Sequence, residues 1–223
     1  MEFVRKLTAL FYPERCPYCS ALIEATQIAC AKCCDEIRRK HIPIPSGARG
    51  FRCISTFAYD GKVRRMILRL KYHDRTQYIP QIAELLVKDI ESAYSGERFD
   101  FITAVPMYIT DLKKRGYNQS VLLAKELGKQ IGLPYLDTID KIKKTKKQHH
   151  LKYQERKTNL KGAFKMIDKE AVKGKRILII DDIITSGYTL GNCCKALDRA
   201  KPALICCATI ASAQNKYPES TVI

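Results

Sequence analysis

RILIIDDIITSGYTL, residues 176–190, decides the architecture. Ile177 to Ile180 are apolar at every position, so both faces of this strand must be covered, as at the centre of a parallel sheet. Two acids follow, then Thr185, Ser186, Gly187, Tyr188 and Thr189, then a helical segment. Open α/β sheets bind their ligands outside the carboxyl ends of the strands. A turn of small residues backed by a helix N-terminus offers peptide N–H groups to a phosphate. Gly187 lets a backbone approach closely, and the hydroxyls of Thr185, Ser186 and Thr189 add donors. Asp181 and Asp182 can accept hydrogen bonds from two adjacent ribose hydroxyls. The bland alternative is a βα junction in which Asp-Asp closes the strand. With no GxxxxGK[ST] motif, a P-loop nucleotidase is excluded.

Working outward, strands and helices alternate. FRCISTFAY (51–59), FDFITAVPM (99–107), GAFKMI (162–167), KRILIIDD (175–182) and ALICCATI (203–210) read as strands. KVRRMILRLKY (62–72) carries Val63, Met66, Ile67 and Leu70 at helical spacing. YIPQIAELLVKDIESAY (78–94), with Pro80 in its first turn, QSVLLAKELGKQIG (119–132), ending at Gly132, and YTLGNCCKALDRA (188–200) are further helices. VPMYITDLKKRGYNQS (105–120) reads as strand, loop, helix. HIPIPSGARG (41–50) reads as a linker. The expected architecture is α/β, a parallel sheet with helices on both faces. The expected division is 1–40, 41–98 and 99–223.

CPYC (16–19) is followed ten residues later by CAKC (30–33). Two such knuckles can aim four thiolates at one tetrahedral zinc, so Cys16, Cys19, Cys30 and Cys33 are the expected ligands, with Cys34 as an alternative to Cys33. A segment this short cannot build its own core, so metal would supply its folding energy. Four sulfur ligands leave no open position, which makes the zinc structural. An apolar helix, VRKLTALF, is expected before it. Cys53, Cys193, Cys194, Cys206 and Cys207 fall in apolar patterns and read as buried small hydrophobes.

The 223 residues carry a net charge of +17, and 46% are hydrophobic, which excludes general disorder. Residues 141–175 hold thirteen Lys/Arg against three acids, more than half of the surplus. Such a stretch is either a solvated loop or a landing strip for phosphates; Lys143, Lys144, Lys146, Lys147 and Lys152 are its candidate contacts to nucleic acid. No apolar run approaches the length of a membrane span. The N-terminus lacks the pattern of a secretory signal, so a cytoplasmic protein is expected.

The 176–190 stretch resembles the 5-phosphoribosyl-1-diphosphate (PRPP) signature of type I phosphoribosyltransferases. That resemblance implies a type I phosphoribosyltransferase-like domain in which Asp181 and Asp182 hold ribose, and Thr185 to Thr189 hold the 5-phosphate. It also implies a diphosphate loop near Arg115 and Gly116, and a basic hood loop at QHHLKYQERKTNLKGAF (148–164). CPYC…CAKC, LKY (70–72), AVP…RGYNQS and LIIDDIITSGYTL, taken together, resemble the ComF/GntX group over nearly the whole chain. The resemblance implies PRPP with Mg²⁺ as ligand, and Lys71, Arg115, Gln148, Arg156 and Asn159 around it. His73, near Lys71, reads as an ordinary surface histidine. ComF-type proteins act in uptake of single-stranded DNA during natural transformation, which implies single strands and uptake-machinery proteins as partners. The competing expectation is an active transferase of nucleotide or base salvage; whether turnover occurs is left open by the residues.

Overall fold

A strand apolar on both faces needs two layers of cover, and the computed structural model supplies them. It describes residues 15–24, 27, 29–40, 44–72, 75–145, 160 and 162–214. Seven strands occur among these: β1 (Ile44–Gly47), β2 (Arg52–Ala58), β3 (Phe101–Ala104), β4 (Ile139–Lys141), β5 (Phe164–Met166), β6 (Arg176–Ile184) and β7 (Leu204–Ser212). The helices are α1 (Ala31–Lys40), α2 (Gly61–Tyr72), α3 (Ile79–Ala93), α4 (Ile109–Arg115), α5 (Gln119–Ile131) and α6 (Tyr188–Asp198). The main sheet runs β1-β2-β7-β6-β3, and β4-β5 form a separate antiparallel pair. β2, β7, β6 and β3 are mutually parallel, with β1 antiparallel at the edge.

Alternation along β6 sorts its side chains into two cores. Leu178 and Ile180 join Ile67, Leu86, Leu123 and Leu127, from α2, α3 and α5, on one face. Ile177 and Ile179 join Leu190, Cys193 and Leu197 of α6, and Phe164 of β5, on the other. Cys53, Cys193, Cys194, Cys206 and Cys207 are all buried; Cys194 and Cys207 bring their sulfurs to 3.4 Å.

Three local differences from the sequence reading have physical causes. The 41–50 stretch contributes β1, whose Ser46 hydroxyl lies 3.0 Å from that of Ser55 on β2; pairing to a neighbour overrides its Pro and Gly content. Helix α4 occupies what reads as loop, and it buries none of its side chains, so it carries no apolar stripe to betray it. β6 continues through both acids to Ile184, because β7 pairs with it as far as Ser212. The 4–11 helix, His73, and most of the 148–164 loop with Gln148, Arg156 and Asn159 lie outside the described residues, as do Lys146, Lys147 and Lys152.

Candidate functional site

The site begins where β3 ends beside β6, which runs on past it through the two acids. The Val105 N–H donates to Ile180 O, and the Val105 carbonyl accepts from Asn118 Nδ2 at 2.9 Å. Asn118 also caps α5, its Oδ1 accepting from the Ser120 N–H at 3.0 Å. That one asparagine therefore fixes the start of α5 over the acids. Gln119 Nε2 donates to Asp182 Oδ2 at 2.5 Å, and Ser120 Oγ donates to Asp181 Oδ1 at 2.8 Å. Lys71 Nζ, from the last turn of α2, pairs with Asp182 Oδ2 at 2.9 Å. Asp181 Oδ1 also accepts the Asp182 N–H. Each acid thus spends one oxygen on the protein; the other oxygen of each has no hydrogen-bond partner among the described residues.

Burial and the neighbouring Asp182 charge push the Asp181 carboxyl up to about 7, while Lys71, Ser120 and the Asp182 N–H pull it down. Burial opposes the charge on Lys71, yet the two carboxylates more than offset it, and its pKa is raised. Near neutral pH, Asp181 is poised to gain or lose a proton while Lys71 stays charged.

Asp181 lines a depression of about 190 Å³ together with Ile183, Ile184, Thr185, Gly187, Thr189 and Leu190. Gly187 has φ +70°, and a Cβ there would lie 2.4 Å from Gly47 O. Its close approach is therefore to the 47–49 segment following β1, rather than to open space. Gly191, one helical turn on, meets Arg49 and Ala48 O in the same way. Arg49 Nε donates to Ser186 O at 3.1 Å, and its guanidinium lies 3.8 Å from the Tyr188 ring centroid. Ser186 Oγ is buried without a hydrogen-bond partner among the described residues. The turn is thus braced from behind, with Asp181, Thr185, Gly187 and Thr189 at the depression.

The structure brings Asp181, Asp182, Lys71 and the 185–189 turn together. Arg115 stands one step back: its Nη1 donates to Gln119 Oε1 at 2.6 Å, and its guanidinium lies 5.3 Å from the Tyr72 ring centroid. Lys143 and Lys144 are exposed. Gln119, Ser120 and Arg49 are site residues that the sequence reading quoted without assigning. Lys141 of β4 stands over the Phe164 ring, its Nζ 5.8 Å from the centroid, and burial lowers its pKa. The RGYNQS motif was the available signal for Gln119 and Ser120; nothing local marks Arg49.

On the side of α2 away from Lys71, the Sγ atoms of Cys16, Cys19, Cys30 and Cys33 all lie within 4.8 Å of one another, and Cys19 and Cys30 are 3.6 Å apart. A tetrahedron with metal–sulfur bonds of about 2.3 Å has sulfurs roughly 3.8 Å apart, so the four thiols fit zinc. Cys34 is outside this group of four, its Sγ directed to Ala29 O at 3.7 Å.

A mainly parallel sheet with an acid pair leading into a hydroxyl-lined turn defines a phosphoribosyltransferase-type fold. Residues 82–222 match the phosphoribosyl transferase domain family, and the chain belongs to it. It is 28% identical to the DNA utilization protein YhgH of Salmonella typhimurium, over 85% of this chain and 80% of that one. It is 33% identical to Competence protein F of Haemophilus influenzae, over 59% of this chain and 60% of that one. Within the family, it is a ComF-like chain. An adenine phosphoribosyltransferase structure from Thermoanaerobacter pseudethanolicus aligns at 17% identity over 80% of this chain and 99% of that one, with a TM-score of 0.42; nothing further rests on that likeness. Among the described residues, no helix is long and apolar enough to cross a membrane.

Proposed function

We propose that this protein binds PRPP, or a ribose phosphate like it, at the β6–α6 junction, and handles single-stranded DNA in the cytoplasm during natural transformation. The observation that carries the first part is the depression shared by Asp181 and the Thr185–Thr189 turn. The free oxygen of each acid is an acceptor for a ribose hydroxyl, and Lys71 and Gln119 hold Asp182 in place for it. The start of α6, with its peptide dipoles aligned, favours the 5-phosphate. Magnesium would be held chiefly by ligand oxygens and water, since among the described residues two carboxylates stand at the site. Zinc in the cysteine cluster would be structural. Should transfer from ribose C1 occur, the acids would stabilise positive charge there while diphosphate leaves; product analysis with candidate bases reads that step. In calorimetry, Asp182→Asn should weaken PRPP about 100-fold, because Asn offers one acceptor oxygen and leaves Lys71 buried without its counter-ion. Unchanged affinity would sink the assignment.

The second part is supported by the names of the relatives and by the basic surplus in 141–175. Removing Lys143 and Lys144 together should weaken single-strand binding a few-fold and flatten its salt dependence by about one unit of slope. A slope that does not change would remove these two lysines from the interface.

A further inference from the structure

Helix α2 has two jobs on opposite sides. Successive residues turn by about 100°, so Arg65 and Arg69 share one side, and Lys71 points roughly 200° away from Arg69. On the first side, Arg69 Nη1 donates to Pro17 O at 2.5 Å and to Cys16 O at 3.3 Å, while its Nη2 donates to Ser20 Oγ. Arg65 Nε reaches Tyr18 O at 3.4 Å. Lys62 Nζ pairs with Glu36 of α1 at 2.5 Å. The acceptors of Arg65 and Arg69 all belong to the loop 16–20, the first cysteine knuckle. Between these two sides, Val63, Met66, Ile67 and Leu70 share one apolar cluster with Cys16, Tyr18, Cys33 and Ile37. At its far end, the Leu70 carbonyl accepts from the Tyr117 hydroxyl, and Lys71 enters the acid pair with its side chain 19% exposed.

We infer that the four-cysteine module is the anchor that places Lys71, and that Arg69 is a positioning residue acting through Lys71 on the ribose end of the β6–α6 site. The inference rests on the reading of that acid pair as a ribose site. Its physical basis is the geometry of a guanidinium. Its N–H groups form a rigid fork, so three acceptors in one knuckle set both the rotation and the axial position of α2. An ammonium 2.9 Å from a carboxylate loses its hydrogen bond and about a quarter of its Coulomb attraction if the helix shifts by about an ångström. The knuckle keeps its carbonyls in place only while its cysteines are gathered, so order at the thiol cluster is transmitted to the acids by one rigid helix.

The test is a double-mutant cycle on the full zinc-loaded chain, with ribose 5-phosphate and PRPP as probes in calorimetry and zinc content measured alongside. Arg69→Ala should retain one zinc per chain and bind ribose 5-phosphate about tenfold more weakly. Lys71→Met should lose at least as much, and the double variant should be no weaker than Lys71→Met alone. Inorganic phosphate, which needs only the 185–189 turn, should bind all of these proteins alike. Wild-type affinity in a zinc-loaded Arg69→Ala, or losses that add in the double variant, would overturn the inference. If Arg69→Ala does not fold, the cycle is run with Arg69→Lys, whose compact ammonium lacks the planar fork that spans the three acceptors. A loss that vanishes on the Lys71→Met background supports the inference, and one that persists overturns it. A wild-type chain that bound no ribose phosphate would remove the ribose-site reading and this inference together; the variant outcomes overturn this inference alone.

Discussion

The cysteine module and the acid pair both crowd ionisable groups, and they restrain them by different means. The module takes its four thiols from residues 16–33 and brings them within 4.8 Å; within so short a segment, the restraint would be the metal they fit. The acid pair draws its partners from α2 and α5, and its carboxylates project from β6 just past the end of β3. Its restraint is the sheet itself. Perturbing the first should therefore cost fold, whereas perturbing the second should trade stability against binding.

Cys33→Ser is the sharpest way to break the contrast. Three thiolates should hold zinc poorly, and because Cys33 shares its core with α2, melting should fall by roughly 10 °C as zinc content drops. A variant that lost its zinc but melted like the parent would show that the module rests on packing alone.

Gly187→Ala comes next. A side chain at φ +70° is strained, and its Cβ would strike Gly47 O, costing about 2–4 kcal/mol. Thermal melts should show that loss, and PRPP binding should fail with it, since the 47–49 segment braces the turn. Retained binding in a destabilised variant would separate the brace from the phosphate bed.

Asp181→Asn should have the smallest effect, and in the opposite direction. The carboxyl is raised from 3.8 to about 7, so its neutral form is favoured by folding. The stability that this confers is present below pH ~4 and is lost as pH rises through ~7. Asn mimics the neutral form, so melting should rise by a few degrees at pH 8 and hardly change at pH 4. Ribose-phosphate affinity of the parent should run the other way, rising with pH across the same window as the carboxylate forms. A gain of equal size at both pH values would show that proton linkage is not its source.

How far the chain could be read follows from these same restraints. The helices that became α2, α3, α5 and α6 and the strands β2, β3, β6 and β7 announce themselves by period and by flanking residues. Helix α4, with no buried face, and β4, three residues long at the edge of a basic run, carry no such signal. Asp181 and Asp182 stood out in the sequence because two acids after four apolar residues are rare company. The role of Asn118 in aiming Gln119 and Ser120 at them did not, since it depends on β3 lying beside β6.

What the sequence by itself determined is whatever depends on near neighbours: two cysteine knuckles at metal spacing, and a buried strand running through two acids into a small-residue turn. Only the tertiary structure decided which distant side chains meet them. Lys71, Gln119 and Ser120 reach the acids, and Arg49 braces the turn, because strand order in the sheet, which no local pattern encodes, sets where the ends of α2, α5 and β1 fall.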